Sequence, residues 1–287
     1  MIKVAIVGAN GFVGRSLSRH FELAGIDVIQ FNSSQPLVIE EKLDGNLEDV
    51  SSVIWCASRV NPLTAETRND LAALEYLEFK SFLDIWEKDS SPQQSLIYLS
   101  SGGCTYSGEN NQFTELSLAE GTNRYGKLKI EIENAILSTK VSCIVLRVSN
   151  VYGPGQPHGR GQGVIAEWKN SINSKKGIEV YGSLKSFRDY IFIDDLCEAV
   201  QQSLDIGEGQ WILNLGSGIP TQLGEILEFV SSLRLQNTKI EFRNSRLTDR
   251  NGYFLDISKF KSLTGWKPKY TIQNGLMKTF GVEIVTE

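Results

Sequence analysis

Histidine is almost absent from this chain. His20 and His158 are the only two in 287 residues, so a histidine-built metal site or a Ser-His-Asp triad would have to use one of them, and neither has suitable neighbours in sequence. Cysteine is sparse too, and the four thiols, Cys56, Cys104, Cys143 and Cys197, lie far apart with no Cys-x-x-Cys pair. With no paired cysteines and no histidine–carboxylate cluster, nothing points to a metal. Three of the cysteines follow strand-like residues and Cys197 falls in a helix-like run, which reads as free, mostly buried thiols in a reducing cytoplasm. Long apolar runs are missing, since none approaches the ~18 residues of a membrane span. The N-terminal MIKVAIVGAN already looks like a folded strand rather than a signal peptide. Excess positive charge is missing as well: a net charge of −5 argues for solubility and against an electrostatic nucleic-acid footprint. There is no internal repeat and no low-complexity segment.

What is present is an ordinary globular balance, 41% apolar and 22% charged, over a length that supports one large or two modest domains. Short β-branched runs alternate with helical stretches through the first half. KVAIVGA, DVIQFN, SVIWCAS, SLIYLSS and SCIVLRVSN read as strands. VGRSLSRHFELAG, AETRNDLAALEYLEFKSFLDIWEK and NRYGKLKIEIENAILS read as helices. This order predicts a parallel sheet covered by helices on both faces. After Tyr152 the pattern changes. A Gly/Pro-rich loop, GPGQPHGRGQG, leads into a helix-like VIAEWKNSINSKK and a strand IEVYG. YIFIDDLCEAVQQSLD then reads as strand and helix, TQLGEILEFVSSL as helix, KIEFRN as strand, and DISKFKSLTGWKP as a short helix closing on Gly265. The expected division is a nucleotide-binding domain over 1–152, rejoined by about 187–205, and a smaller substrate domain over 153–186 and 206–287.

The first strand runs into GANGFVG, with glycines at 8, 11 and 14, and the last of them opens a helix. Gly8 permits a tight turn, Gly11 lets backbone approach a pyrophosphate, and Gly14 lets the helix pack close to the sheet. The helix start then offers the amides around Asn10, Phe12 and Val13 to phosphate. The expected architecture is therefore α/β, a Rossmann-type doubly wound parallel sheet with a smaller C-terminal region, binding NAD or NADP. The spacing resembles that of the short-chain dehydrogenase/reductase superfamily. In that family an acidic residue ending the second strand holds the adenosine ribose, and here the position is Asn32. A neutral amide makes no bidentate contact to a ribose diol and does not repel a 2′-phosphate. Arg15 could pair with such a phosphate, so NAD and NADP both stay open.

RYGKLKIEIE places Tyr125 and Lys129 at i and i+4 of a helix, on one face. A phenol is a poor acid or base at neutral pH, and a nearby ammonium favours the phenolate, making a proton donor and acceptor for a sugar hydroxyl. Lys129 could also hold ribose hydroxyls of the cofactor. Together with GANGFVG, Asn69, SSGG…Y, RVSNVYGPGQ, RDYIFIDDL, RLTD and LTGWKP, this resembles the NAD(P)-dependent epimerase/dehydratase family acting on nucleotide sugars, along nearly the whole chain.

The resemblance implies a hydroxyl four residues before the tyrosine of the serine-strand turn. Counting back from Tyr106 gives Gly102, which has none. Ser101 is then the expected replacement, with Ser100 or Thr105 also in reach. Relatives that dehydrate carry an Asp-Glu pair just after; here stand Gly103 and Cys104, which disfavours a 4,6-dehydratase. A 4-epimerase remains, with an NADPH-dependent 4-keto-sugar reductase as the alternative. The resemblance further implies Asn150, Arg188, Arg246 and Asp249 as nucleotide-binding residues, guanidinium groups suiting a diphosphate. His158 reads as a solvated loop residue, and Asp194 and Asp195 as caps of the following helix. About twenty residues separate Asn32 from VIWCAS, so a helix usual in relatives is expected to be missing, with Asp44 or Asn46 as an adenine contact. Relatives dimerise through two long helices, here near 66–88 and 123–138. A non-catalytic, dinucleotide-sensing scaffold is the rival from another class, and the intact Tyr125/Lys129 pair speaks against it.

Overall fold

The computed structural model describes residues 2–108, 110–233, 239–245 and 252–282. In the first half, β1 (Lys3–Val7), α1 (Phe12–Leu23) and β2 (Asp27–Phe31) are followed by a hairpin, β3 (Val38–Ile39) with β4 (Lys42–Leu43). Then come β5 (Ser52–Trp55), α2 (Asn69–Asp89), β6 (Ser95–Ser101), the single turn α3 (Gly102–Thr105), β7 (Gln112–Phe113), α4 (Arg124–Leu137) and β8 (Cys143–Val148). Beyond lie β9 (Asn150–Tyr152), α5 (Val164–Asn173), β10 (Ile178–Tyr181), β11 (Phe187–Phe192), α6 (Ile193–Ser203) and β12 (Gln210–Leu215). β13 (Pro220–Gln222), α7 (Leu223–Ser232), β14 (Ile240–Arg243), β15 (Phe254–Leu255), α8 (Ser258–Thr264) and α9 (Ile272–Phe280) complete the order.

Six strands form one sheet in the order β12-β8-β6-β5-β1-β2, every pair parallel. Side chains alternate across it with the period of two that a pleated strand imposes. From β1, Val4 and Ile6 join the core under α1 and α6, while Ala5 and Val7 face α2 and α4. Both faces are covered, which is why these strands read as unbroken apolar runs. On the α2/α4 side the packing is aromatic: Trp55 lies edge-on to Phe79 with ring centroids 4.9 Å apart, and Phe82 stacks on Trp86. The other cluster runs on without a break into α5, β11, α7 and α9 through Trp168, Phe192, Val230 and Leu276.

The sheet differs from expectation at one edge. Gln210–Leu215, expected in the C-terminal substrate domain, instead pairs with β8 along its whole length as the sixth strand. Its buried end, Leu213–Leu215, needs the apolar neighbour that β8 offers. Between β2 and β5 there is indeed no α-helix, only the hairpin and a 3-10 turn at Gly45–Leu47. β9, β11 and β13 form a separate small sheet, and β10 pairs with β14.

Successive strands are added outward from β1 in opposite directions, so the order reverses between β1 and β5. A crevice opens at the carboxyl ends of the strands at such a point. Val7 pairs with Trp55, Trp55 with Tyr98, and Ser101 with Val148, so the residues that follow each strand emerge on one edge.

Candidate active site

That edge forms the floor of a cleft of about 2340 Å³, lined by the first glycine turn, the serine turn, Tyr125, Lys129, Asn150, Arg188 and Tyr253. Sites for one small ligand run to roughly 300–1,000 Å³, so the space accommodates more than one.

At the dinucleotide end, Gly8 has φ +92°, and a Cβ there would meet the Ala57 amide nitrogen at 2.7 Å. At Gly14 a Cβ would stand 2.2 Å from the Gly8 carbonyl oxygen. Only glycine permits this turn and this helix contact. α1 begins at Phe12 with no side-chain cap, so its first amides point unclaimed at the cleft. Gly8, Asn10, Gly11, Phe12, Val13, Gly14 and Asn32 all line it. The buried Ser149 hydroxyl, also on the cleft wall, has no hydrogen-bond partner among the described residues. A bare amide array, a glycine cradle and an unpaired buried hydroxyl fit a dinucleotide.

Asn32 accepts the backbone amides of Ser34 and Gln35 at 2.9 and 3.3 Å, so its carbonyl oxygen is held in its own turn. Arg15 is exposed and donates to the Asn10 carbonyl at 2.9 Å rather than lining the cleft. Asp44 accepts from the amide and the side chain of Asn46 at 2.9 and 2.7 Å, capping the 3-10 turn outside the lining. Neither Asp44 nor Asn46 lines the cleft, whereas Ser33, Pro36, Leu37 and Val38 do.

Tyr125 and Lys129 stand on one face of α4, whose start is capped by Asn123 accepting from the Gly126 amide at 2.8 Å. Lys129 Nζ lies 5.3 Å from the Tyr125 ring centroid. It is only 2% exposed, and it donates to Tyr98 Oη and to Glu75 Oε1, each at 3.1 Å. The expected lowering of the phenol does not prevail. Burial pushes Tyr125 upward, the Lys129 charge and the Ser58 hydroxyl oppose it, and Cys104 and Glu75 add to it. Lys129 is held well above its ordinary value: burial acts against the charge, but Tyr98, Tyr125 and Glu75 outweigh it.

The three candidate hydroxyls separate cleanly. Ser100 also lines the cleft, but its hydroxyl donates to Glu133 at 2.5 Å within a buried network that ties Glu133 to Arg147 at 2.6 Å. Thr105 is fully buried and donates to the Ser101 carbonyl at 2.6 Å. Ser101 lines the cleft, and among the described residues only its backbone carbonyl, not its hydroxyl, is engaged by a side chain of this turn. Gly102 does not face the cleft: a Cβ there would run into Leu255 Cδ1 at 2.6 Å. At Gly103 a Cβ would strike Tyr253 Oη at 2.3 Å.

Across the cleft, Asn150 donates to Tyr253 Oη at 2.8 Å and to the Asp189 carbonyl at 3.1 Å. Arg188 lines the cleft, donates to the Phe187 carbonyl at 2.8 Å and stands 5.9 Å over the Tyr253 ring. Among the described residues it has no carboxylate partner. Asp195, expected to cap its own helix, instead accepts the amides of Lys269 and Tyr270 at 2.9 and 3.0 Å, while Asp194 faces Lys278. His158 is exposed and outside the lining. Arg246 and Asp249 lie outside the described residues. The sequence reading missed Ser58, Glu75, Tyr98 and Tyr253. Glu75 did leave a signal, because it shares a helical stripe with Phe79, Phe82 and Trp86, where a charge is out of place.

No helix among the described residues is long and apolar enough to cross a membrane. Residues 4–216 match the family described as "NAD dependent epimerase/dehydratase family". Over 304 residues the chain is 29% identical to a dTDP-4-dehydro-6-deoxyglucose reductase of Escherichia coli, covering 96% of this chain and 95% of that one. It is 27% identical to a UDP-glucuronate 4-epimerase of Thermodesulfobacterium geofontis, covering 91% of this chain and 79% of that one. Among solved structures, UDP-glucose 4-epimerase of Thermotoga maritima with UDP-glucose superposes with a TM-score of 0.83 at 20% identity, covering 98% of each chain. UDP-glucuronic acid 4-epimerase of Bacillus cereus, in complex with UDP-glucuronic acid and NAD, superposes with a TM-score of 0.86 at 16% identity, again over 98% of each. The glycine turn, the Tyr125/Lys129 helix and a match over most of the length agree: this chain is an NAD(P)-dependent enzyme of the NAD-dependent epimerase/dehydratase family.

Proposed function

We propose that the enzyme carries out oxidoreduction at C4 of a nucleotide-linked hexose. The observation that carries this is the placing of Tyr125, Lys129 and Ser101 on one cleft whose other end is the glycine turn. Gly8, Gly11 and the first amides of α1 would hold the pyrophosphate of a dinucleotide, and Lys129 would hold its nicotinamide ribose beside Tyr125. Bound there, the dinucleotide supplies the hydride acceptor and donor. The work of the chain is binding, orientation and proton transfer. Ser101 donates to or accepts from the sugar O4 and orients it. Tyr125 Oη takes the proton from that hydroxyl during oxidation and returns it during reduction. Lys129 stabilises the phenolate that forms between these steps. Arg188 binds diphosphate oxygens bidentately, and Asn150 with Tyr253 lines the sugar side. Arg246 and Asp249 complete nucleotide binding on this reading. Such chemistry is that of biosynthesis of sugar polymers, in the cytoplasm.

A 4-epimerase returns the hydride to the opposite face, and the motifs lead to this reading first. A 4-keto-sugar reductase uses the same residues and consumes NADPH. Two observations favour it: the end-to-end match with a reductase, and the absence of an acid at Asn32, whose oxygen is already held by its own turn. Relatives pair through the helices that correspond to α2 and α4. Exposed Leu74 and Leu77 on α2 give a homodimer an apolar contact.

Incubation with UDP-, dTDP- and GDP-hexoses and their 4-keto forms tests the proposal. Product is expected with the wild type and not with Tyr125→Phe, whose dinucleotide affinity stays unchanged. Product without net cofactor turnover identifies the epimerase, and one NADPH oxidised per product identifies the reductase. If wild type and Tyr125→Phe are equally inert while both bind dinucleotide, the sensing scaffold takes the place of the enzyme.

A further inference from the structure

Beneath the Tyr125/Lys129 pair lies another charge. Glu75 projects from α2 into the core and is 5% exposed. Its carboxylate accepts from four groups: Lys129 Nζ at 3.1 Å, Ser58 Oγ at 2.9 Å, the Arg59 amide at 2.7 Å and the Val60 amide at 3.3 Å. The donors come from α4 and from the loop after β5, so the carboxylate joins both to α2. The Arg59 guanidinium does not take part, because it is turned to Glu78 at 2.5 Å. The remaining groups at this point are Tyr98 Oη, which accepts from Lys129 at 3.1 Å, and Cys104, beside the phenol. Ser58 also neighbours the Tyr125 phenol; its single hydroxyl proton goes to Glu75 here, and it favours the charged phenol only when it turns from the carboxylate to the phenolate, so Glu75 competes for it.

A lone ammonium in this position would be costly to bury, and aimed freely it would act on the phenol at full strength. Here it is anchored away from solvent by an opposite charge. That charge cancels part of its field at Tyr125, since two opposite charges about 3 Å apart act at a distance as a dipole. We propose that Glu75 is a positioning residue for the reaction at Tyr125: it anchors Lys129 beneath the phenol, offsets part of the ammonium's field there, and reaches the phenol through Ser58. The inference rests on Tyr125 being the acid/base group. Lys129 and Ser58 then favour the phenolate, and Glu75 opposes it. The two neighbours of the phenol that are open to substitution without touching the Tyr/Lys pair act in opposite directions.

The experiment is an ultraviolet titration of phenolate in the full chain, each protein measured against its own Tyr125→Phe counterpart so that only Tyr125 is read. The pH dependence of kcat is measured alongside it. Glu75→Gln keeps the size and most hydrogen bonds but removes the charge. Its Tyr125 ionisation, and the matching limb of kcat, are expected about one pH unit lower. Glu75→Asp is expected to return most of the way to wild type. Ser58→Ala is expected to move the ionisation upward, by less. The proposal is overturned if Glu75→Gln leaves the ionisation in place, moves it the same way as Ser58→Ala, or slows turnover equally at every pH. If Glu75→Gln does not fold, a failure of Ser58→Ala to shift the ionisation upward overturns it. The titration needs no turnover. A wild type inert toward nucleotide sugars therefore sinks the functional reading while the fate of Glu75 is still decided.

Discussion

At the scale of single residues, the serine turn shows how burial chooses among hydroxyls that look alike in sequence. Ser100, Ser101 and Thr105 lie within six positions; Ser100 and Thr105 donate their hydroxyls to Glu133 and to the Ser101 carbonyl, while Ser101 lines the cleft. Ser101→Ala is expected to lower kcat about a hundredfold, within the range of a positioned proton-handling group, with dinucleotide affinity unchanged in a fluorescence titration. Gly102→Ser adds the hydroxyl that relatives carry there, yet it is not expected to raise activity. Its Cβ would meet Leu255 at 2.6 Å and the Arg147 carbonyl at 3.1 Å, on the side away from the cleft. Overpacking of this kind costs about 1–3 kcal/mol, readable as a lower urea midpoint. Lys129 gives a pH prediction. Its folded-state value is raised, so the stabilisation is fully present below the ordinary lysine value of about 10.4 and is lost only as pH climbs through the higher folded value. Stability followed against pH should therefore show no loss from this group between neutrality and about pH 10, and a fall above it. Lys129→Met should be weaker by about 3–5 kcal/mol already at neutrality, because Glu75 is left buried and unpaired.

At the scale of elements, the parts with a local cause were legible and the parts with a distant cause were not. The glycine turn, the helix that carries Tyr125, and the apolar strands announce themselves through spacing. The missing helix after β2 followed from the length of the segment. The partner chosen by Gln210–Leu215 did not, since a strand motif carries no address and its place beside β8 depends on residues 67 positions earlier in the chain, Cys143 opposite Gln210, rather than on its own pattern. The site divides in the same way. Tyr125 and Lys129 were legible from an i,i+4 spacing, whereas Glu75 and Tyr253 belong to the site only through packing of α2 and of the segment before β15. β12 holds that second packing together. Asn214 accepts from Tyr106 Oη at 2.5 Å and donates to the carbonyls of Phe113 and Asp256 at 2.9 and 3.2 Å, binding the small core of Tyr106, Phe113, Tyr253 and Leu255 to the main sheet. Asn214→Leu removes all three of these buried hydrogen bonds and should cost about 2–4 kcal/mol, seen in denaturant unfolding. It should also weaken binding of the nucleotide sugar, through displacement of Tyr253, more than binding of dinucleotide.

At the scale of the whole molecule, the cleft is shared between two binding surfaces with separate structural support. The glycine turn is built on β1 and α1, and Arg188 and Asn150 are built on the small sheet of β9, β11 and β13. The core cluster under α1 and α6 runs through both, so unfolding of one is expected to bring down the other in a single transition. Each ligand then stabilises the entire chain by mass action. A ligand at a hundred times its Kd adds about 2.7 kcal/mol, which for a chain of this size raises Tm by about 4–5 °C. Dinucleotide and a nucleoside diphosphate should therefore each raise Tm alone, and more when both are present. Arg188 has no carboxylate to neutralise it among the described residues, so its charge is available to the diphosphate. Arg188→Ala should keep the dinucleotide shift and lose most of the nucleoside diphosphate shift. Loss of both shifts together would mean that Arg188 supports the fold and not the ligand, and an unchanged diphosphate shift would move the phosphate-binding role to another cation in the cleft.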